Sequence, residues 1–221
     1  MNNIKSFSVI DKDKIKGNIH VVGVGALGSR IVENLVRLNL ASKIIVYDMD
    51  VVEEKNLNNQ VYLRKHIGMP KVDAIKDFCS EIDGDATLRV RNKEVKHIRT
   101  KKDDIVVLAI DNFEARANIL AQIEETPLVL SGGISSIGGN FEIIRGAENY
   151  AKLAGEYASL PSGQEYDEND LTPCGSPISI YHRIGYAAAL MADAIISNYN
   201  SEDENKENII FDIPNRIIIE D

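Results

Sequence analysis

One glycine-rich turn constrains the fold of this chain more than any other feature. The apolar run Ile19–Val22 leads directly into Gly-Val-Gly-Ala-Leu-Gly-Ser at positions 23–29, where an amphipathic helical pattern begins. In such a turn Gly23 permits the tight bend, Gly25 lets a phosphate approach the backbone, and Gly28 lets the helix pack closely on the sheet. The N–H groups at the start of the helix attract an anion. The turn predicts a nucleotide-binding strand–turn–helix unit and leaves both NAD and ATP open as ligands.

Short apolar segments alternate with helical patterns along the first 130 residues. The predicted strands are β-branched or leucine-rich and bounded by polar residues or glycine, as buried parallel strands are. They lie at Ile19–Val22, Ile44–Tyr47, Ile105–Ile110 and Leu128–Leu130. Apolar residues recur at three- and four-residue steps most regularly in Ala26–Leu40, and less so in Val72–Ile82 and Phe113–Ile123. This order predicts an α/β fold with a Rossmann-like, mainly parallel sheet and helices on both faces.

The last third of the chain has a different character. Phe141–Arg145 predicts a further strand, and we expect the C-terminal strands to be antiparallel. Gly146–Pro177 is weakly periodic and contains three prolines, which predicts a long functional loop. Ile180–Ser197 carries a clear helical stripe. Ile209–Phe211 and Ile217–Ile219 flank a Pro-Asn pair and predict a closing hairpin.

Composition excludes several classes of protein. A chain of 221 residues, 44% hydrophobic and 27% charged, is expected to form a single domain over residues 1–221. No apolar stretch approaches the roughly 20 residues of a membrane span, and the polar N-terminus shows no signal peptide, so we expect a cytoplasmic protein without a membrane partner. The formal charge of −9 disfavours nucleic acid as a partner. Two cysteines exclude a four-cysteine zinc site.

A second group of residues follows the glycine-rich turn in a fixed order. Asp48 stands twenty residues after Gly28, where nucleotide-binding folds carry an acid that binds ribose. The further members, in chain order, are Asp50, the run Asn-Leu-Asn-Asn-Gln at 56–60, Lys71 in Gly-Met-Pro-Lys, and Asp111 in Asp-Asn-Phe-Glu-Ala-Arg at 111–116. Over Ile19–Arg116 this order and spacing strongly resemble the ThiF/MoeB/HesA superfamily, the ATP-dependent activators of ubiquitin-like and sulfur-carrier proteins. A looser match continues through 131–133 and 173–177.

The resemblance implies a reaction and its participants. Members of this superfamily use ATP to adenylate the C-terminal carboxylate of a partner, which yields an acyl-adenylate and pyrophosphate. For this chain it implies ATP and Mg²⁺ as cofactors. It implies a partner that is a small ubiquitin-like or sulfur-carrier protein ending in Gly-Gly, or a peptide. It also implies a homodimer.

The resemblance also implies a set of site residues. The nucleotide-binding set is Gly23, Gly25, Gly28, Ser29, Asp48, Asp50, Asn56, Gln60 and Lys71. Asp48 is expected to bind the ribose hydroxyls and Lys71 to neutralise the triphosphate, whereas Asp50 is expected to orient its loop. Asp111 is expected to hold Mg²⁺ and, with Lys71, to act in catalysis. A helix N-cap is the alternative role for Asp111.

The chain departs from the family pattern at charged positions. Asn59 stands where the N-L-x-R-Q box carries arginine, and Arg64 and Arg30 are candidates to supply the missing charge. The N-terminal arm, residues 1–16, lacks the arginine that relatives extend to a partner subunit. These departures keep open a non-catalytic nucleotide-binding or dimerising relative. An NAD-dependent oxidoreductase is a further alternative, resting on the glycine-rich turn and Asp48 alone.

Cysteine chemistry gives a last set of predictions. The two C-x-x-C pairs that hold zinc in many relatives are absent, so no zinc is expected. Cys174 lies near the end of residues 146–177, the counterpart of the family's crossover loop, where a thiolate can accept an activated acyl group. Packing is the favoured role of Cys174, and acyl acceptance is the alternative. Cys79 falls on a helical pattern and is predicted to be a core residue.

Overall fold

The sheet is the framework that places every candidate site residue. The computed structural model describes residues 15–125, 127–134, 138–160, 181–198, 207–212 and 217–220. Their strands are β1 (Ile19–Val22), β2 (Ile44–Asp48), β3 (Arg89–Asn92), β4 (Ile105–Leu108), β5 (Leu128–Ile134), β6 (Gly138–Ile144), β7 (Glu207–Asp212) and β8 (Ile217–Glu220). They form one sheet in the order β3-β2-β1-β4-β5-β6-β7-β8. The strands from β3 to β5 are parallel and those from β5 to β8 antiparallel, which confirms the predicted sheet.

Helices cover both faces of this sheet. Those in the described residues are α1 (Ala26–Arg37), α2 (Lys71–Ile82), α3 (Phe113–Leu120), α4 (Ala147–Ser159) and α5 (Tyr181–Asn198). Side chains of α1, α2 and α5 share one buried cluster with Ile19 and Val21 of β1. Side chains of α3 and α4 share the other with Val22. Successive residues of β1 therefore face opposite cores, as expected of a strand buried on both faces.

Helix α1 shows why the chain turns back where it does. Ile31 and Leu35 lie fully buried on its inner face. The helix ends at Arg37, three residues before the predicted Leu40, because Asn39 adopts a left-handed φ of 64°. The main-chain N–H of Leu40 then donates to Leu35 O at 3.0 Å and closes the turn into β2.

Helix α4 and strand β3 were not predicted from the sequence. The first half of the predicted loop Gly146–Pro177 is wrong, because α4 occupies Ala147–Ser159 and buries Tyr150, Leu153 and Tyr157 against the sheet. The prolines and glycine that suggested a loop all lie after this helix. Strand β3 was missed because it is an edge strand whose polar residues are exposed around a half-buried Val90.

Several predictions concern residues outside the described ranges. They are the arm at residues 1–14, the second half of the predicted crossover loop, and Cys174. Cys79 is described: it lies fully buried on α2 within the core, which confirms its predicted place. Burial raises the pKa of the Cys79 thiol to about 12, so the thiol is protonated at neutral pH.

Candidate nucleotide-binding site

The candidate site lies where the parallel strands end. The glycine-rich turn follows β1, Asp48 closes β2, and Asp111 lies just beyond β4. Because β2 and β4 pair with opposite sides of β1, the chain order reverses at this point of the sheet. Open α/β sheets bind ligands in the crevice at the carboxyl ends of strands beside such a reversal. The topology therefore brings three predicted site segments to one edge.

Backbone geometry explains the glycines of the turn. Gly23 has a left-handed φ of 85°, and a Cβ there would lie 2.7 Å from Ala109 O. A Cβ on Gly28 would lie 1.9 Å from Gly23 O, so a side chain at either position would clash with backbone. A Cβ on Gly25 would meet nothing within 4 Å, and no side chain caps the helix that Gly25 begins. The turn thus leaves open space beside the N–H groups of α1, as phosphate binding needs.

Asp48 ties the turn to the end of β2. Its Oδ2 accepts the Val24 N–H at 2.8 Å and its Oδ1 accepts the Asp50 N–H at 2.9 Å. A carboxylate offers about four acceptor positions, so two remain for hydroxyl donors after these bonds form. Asp48 can therefore fix the turn and accept ribose hydroxyls together.

Lys71 and Asp50 form an ion pair at the start of α2. Lys71 Nζ lies 2.8 Å from Asp50 Oδ2, with the lysine side chain 9% exposed and the aspartate side chain 58% exposed. The segments that carry them run side by side, since Val51 pairs with Pro70 and the Lys71 N–H donates to Asp50 O. Asp50 is thus the counter-ion of Lys71, a more specific role than the loop orientation expected from the sequence.

The residues of the 56–60 run divide by function. Asn56 caps the short 3₁₀ helix Glu54–Asn58, because its Oδ1 accepts the Glu53 N–H at 2.8 Å. Gln60 is 8% exposed, and its Oε1 has no hydrogen-bond partner among the described residues. A buried acceptor left without a donor is costly, and a ligand donor would satisfy it. Gln60 Oε1 is therefore a buried acceptor in this run that a ligand could satisfy.

Ser29 lies away from the solvent side of the turn. Its side chain is fully buried, and its hydroxyl lies 3.4 Å from both Ala26 O and the Val61 N–H. This geometry joins α1 to the segment after Gln60. In this structure the Ser29 side chain supports the turn, and its role toward a nucleotide stays a prediction.

Asp111 is exposed on the loop after β4. The cap of α3 is the next residue, Asn112, whose Oδ1 accepts the Ala115 N–H at 2.9 Å. The alternative interpretation of Asp111 as the N-cap is therefore wrong. A carboxylate that no capping bond occupies is available to a cation at the edge of the sheet.

Arg116 fixes the loop that carries Asp111. It is 4% exposed, donates through Nε to Ile110 O at 2.7 Å, and donates through Nη2 to Gly132 O at 2.7 Å. Its guanidinium lies 5.6 Å from the centre of the Phe113 ring and 5.5 Å from that of Tyr157. The arginine that ends the 111–116 motif is thus buried, and it links the loop after β4 to strand β5.

The two arginines considered as substitutes for Asn59 have acidic partners. Arg64 is exposed and its Nη1 lies 3.3 Å from a carboxylate oxygen of Glu54. Arg30 lies on α1 with its Nη1 2.6 Å from a carboxylate oxygen of Glu33. Lys71 also has an acidic partner, so these contacts do not test either arginine, and the substitution stays a prediction.

Tyr62 contacts the glycine-rich turn, and nothing in its sequence context selects it. It is 3% exposed, and its hydroxyl donates to Val24 O at 2.6 Å. A buried tyrosine within a polar loop has no spacing signature. Its contact with the turn depends on how the 56–71 segment folds back, which local sequence does not encode.

These residues fit a nucleoside triphosphate and a divalent cation. The open space at Gly25 and the ammonium of Lys71 suit phosphate groups. Gln60 supplies a buried acceptor without a partner among the described residues, and Asp111 supplies an exposed carboxylate. Within the described ranges, no three His, Cys, Asp or Glu side chains form a ready metal cluster. Mg²⁺ is commonly held by one or two carboxylates together with substrate phosphates, so a single aspartate is compatible with it.

Comparison with known proteins identifies the family. The ThiF family profile matches residues 3–218. This chain belongs to the ThiF family. The resemblance seen in the sequence motifs is thereby confirmed over nearly the whole chain.

Two relatives of this ThiF-family chain share a name. Ubiquitin-like modifier-activating enzyme 5 of Caenorhabditis briggsae is 30% identical over 155 residues, covering 62% of this chain and 36% of the relative. The Drosophila mojavensis enzyme of the same name is 30% identical over 167 residues, covering 67% of this chain and 41% of the relative. The chain thus spans well under half the length of these relatives.

Solved structures confirm the fold of this ThiF-family chain. E. coli MccB with AMPCPP and MccA superposes with a TM-score of 0.69 at 16% identity, over 100% of this chain and 72% of MccB. E. coli MccB with ATP gives a TM-score of 0.68 at 16% identity, over 95% of this chain and 65% of MccB. In the described part of the chain, no helix combines the length and apolarity that crossing a membrane requires.

Proposed function

We propose that this chain uses ATP to adenylate the C-terminal carboxylate of a small ubiquitin-like or sulfur-carrier protein, or of a peptide. One observation carries the proposal: the glycine-rich turn, the Asp50–Lys71 pair and Asp111 converge on one edge of the sheet, within a ThiF-family fold. The relatives named as ubiquitin-like modifier-activating enzymes and the MccB structures with MccA support a protein or peptide partner.

The proposed reaction needs positioning and charge neutralisation more than covalent help. A carboxylate oxygen of the partner attacks the α-phosphorus of ATP; the new P–O bond forms as the bond to the bridging α–β oxygen breaks and pyrophosphate leaves. The N–H groups of α1 hold phosphate oxygens, and Lys71 leaves Asp50 to neutralise the charge that develops on the leaving group. Asp48 and Gln60 hold the nucleoside. Asp111 holds Mg²⁺, which would stabilise charge on the phosphate oxygens.

Three further features belong to the proposal. The active form is a homodimer, which light scattering at micromolar concentration tests directly. Cys174 is the candidate acyl acceptor for a transfer step after adenylation. The protein acts in the cytoplasm.

Nucleotide choice tests the proposal first. Calorimetry should show ATP–Mg²⁺ binding more tightly than NAD, because the ammonium of Lys71 and the carboxylate of Asp111 suit a triphosphate with its cation. Pyrophosphate exchange should then depend on a peptide or small protein ending in Gly-Gly. NAD binding as tight as that of ATP would instead support the oxidoreductase alternative.

A second candidate function is a non-catalytic nucleotide-binding relative that dimerises with an active partner. The observation that favours it is Asn59, which stands where the family box carries arginine. ATP binding without any pyrophosphate exchange, across a panel of Gly-Gly proteins and peptides, would favour this candidate.

A further inference from the structure

The hydroxyl of Tyr62 lies between two parts of the candidate site. It donates to Val24 O at 2.6 Å and lies 3.4 Å from Lys71 O. Val24 belongs to the glycine-rich turn, and Lys71 opens α2. A phenol has one proton to donate, so Tyr62 donates it to Val24 O, the nearer carbonyl. The contact with Lys71 O is longer and therefore weaker.

Hydrogen bonds hold the backbone of Val24 at both its N–H and its carbonyl. Its N–H donates to Asp48 Oδ2 at 2.8 Å, and its carbonyl accepts from Tyr62. Val24 stands between Gly23 and Gly25, so these two bonds set the orientation of the backbone that faces the open space at Gly25. Removing either bond would let the turn rotate while leaving the surrounding core intact.

Tyr62 is itself fixed in place by buried neighbours. Its ring meets the ring of His66 edge-on, with centroids 6.2 Å apart. His66 Nδ1 accepts the Leu63 N–H at 3.1 Å, which places the proton on Nε2, and Nε2 donates to Asp77 Oδ2 at 2.9 Å. Burial raises the pKa of Tyr62, and the nearby carboxylate of Asp48 raises it further, so the hydroxyl is a donor across the physiological pH range.

We propose that Tyr62 is a positioning residue that fixes the spacing between the glycine-rich turn and Lys71, and thereby favours a triphosphate over the bare nucleoside. The inference rests on the proposed function, because it assumes that the turn and Lys71 bind phosphates. Both groups that the hydroxyl touches lie on the phosphate side of the site. The hydroxyl makes its hydrogen bonds to Val24 O and Lys71 O, and not to Asp48 or Gln60, the residues assigned to the nucleoside.

The test substitutes Tyr62→Phe, which keeps the ring and removes the hydroxyl. ATP–Mg²⁺ affinity should fall about ten-fold, the scale of one lost hydrogen bond to a buried carbonyl. Adenosine affinity, followed by NMR titration, should stay within about two-fold, since the hydroxyl contacts no group assigned to the nucleoside. An equal loss for both ligands, or no loss for ATP, would overturn the proposal.

Tyr150→Phe is the matched control. Tyr150 is also a buried tyrosine whose hydroxyl donates to a backbone carbonyl, that of Pro127, on the face of the sheet covered by α4. Its loss should lower thermal stability to a similar degree and leave the ATP-to-adenosine ratio unchanged. A control that shifts this ratio as much as Tyr62→Phe would show a general effect of stability and would also overturn the proposal.

Amide hydrogen exchange separates this inference from the proposed function. Exchange of the amides from Val24 to Ser29 should be faster in Tyr62→Phe than in Tyr150→Phe, with no ligand present. A wild-type protein that binds neither ATP nor adenosine would overturn the proposed function. Amide hydrogen exchange, which needs no ligand, would then be the test of whether Tyr62 positions the turn. Equal exchange in both variants would overturn that role.

Discussion

Lys71 and Asp50 hold each other through both side chain and backbone. The ammonium lies 2.8 Å from the carboxylate, and the Lys71 N–H donates to Asp50 O at 2.8 Å. The lysine side chain is mostly buried and the aspartate is mostly in water. The pair is therefore asymmetric: losing the aspartate leaves a buried cation alone, whereas losing the lysine leaves an anion that water can solvate.

Lys71→Met should weaken ATP–Mg²⁺ binding by at least about ten-fold, because a charge-assisted contact to phosphate is lost. Stability should change by no more than about 1 kcal/mol, since the exposed Asp50 becomes hydrated. Lys76→Met, an exposed lysine on the same helix, is the matched control for calorimetry and urea unfolding. Wild-type ATP affinity in Lys71→Met would remove Lys71 from the site.

Asp111→Asn should separate cation binding from helix capping. Since Asn112 caps α3, the free energy of unfolding should stay within about 0.5 kcal/mol of wild type. Mg²⁺-dependent pyrophosphate exchange should fall by orders of magnitude if a carboxylate must hold the cation. Asn112→Ala should do the reverse, losing roughly 1 kcal/mol of stability and keeping the Mg²⁺ dependence. Near-normal exchange in Asp111→Asn would show that Mg²⁺ is held elsewhere.

Gln60→Leu should weaken ATP binding without destabilising the fold. The buried Oε1 has no partner among the described residues, so an apolar side chain of similar size removes an unsatisfied acceptor. The free energy of unfolding should stay equal or rise by up to about 1–3 kcal/mol, while ATP affinity falls. Gln122→Leu, at an exposed glutamine after α3, is the control. Urea unfolding with and without ATP measures both effects, and a destabilised Gln60→Leu would indicate an internal role.

The sequence predicted the parts of the site that depend on local spacing. The strand into Gly23, the glycines of the turn and the acid at Asp48 follow from steric and electrostatic rules that act over short distances. The structure supplies the reasons in detail, because side chains at Gly23 or Gly28 would clash with backbone. Family membership added Lys71 and Asp111, which no periodicity selects.

The parts that escaped prediction depend on long-range packing. Strand β3 owes its place to pairing with β2, since its exposed arginines carry no burial pattern. Tyr62 and Arg116 work through contacts made only when the chain has folded, Tyr62 to Val24 O and Arg116 to Gly132 O. Helix α4 differs from these, because its buried residues Tyr150, Leu153 and Tyr157 have helical spacing, whereas the prolines that predict a loop all follow the helix.

Asp104 should make stability depend on pH in the acid range. Burial alone would raise its pKa, but hydrogen bonds from His20 and from the Asn18 and Lys101 N–H groups together outweigh burial and hold the pKa below its usual value. The unfolded carboxyl, with a pKa of about 3.9, binds the proton more readily than the folded one. The stabilisation is therefore complete above about pH 5 and is lost as the pH falls through the folded pKa.

Urea unfolding between pH 6 and pH 3 measures this effect. Asp104→Asn should be less stable near neutral pH and should lose less stability on acidification than wild type. Asp103→Asn, at the exposed neighbour, should follow the wild-type profile. Parallel profiles for Asp104→Asn and wild type would assign the acid sensitivity to other carboxyl groups.

The two cysteines should differ in reactivity. Cys79 is fully buried, and its thiol, with a pKa of about 12, is almost entirely protonated at pH 8. Iodoacetamide should therefore leave Cys79 unmodified in the folded protein and modify it in urea.

Any adduct formed with ATP and a Gly-Gly partner should be a thioester, released by excess thiol, and should map to Cys174 by mass spectrometry without added thiol. It should persist in Cys79→Ala and vanish in Cys174→Ala, while pyrophosphate exchange continues in both variants. An adduct that survives Cys174→Ala and is lost in Cys79→Ala would contradict the assignment, because it would require α2 to open and expose a core thiol.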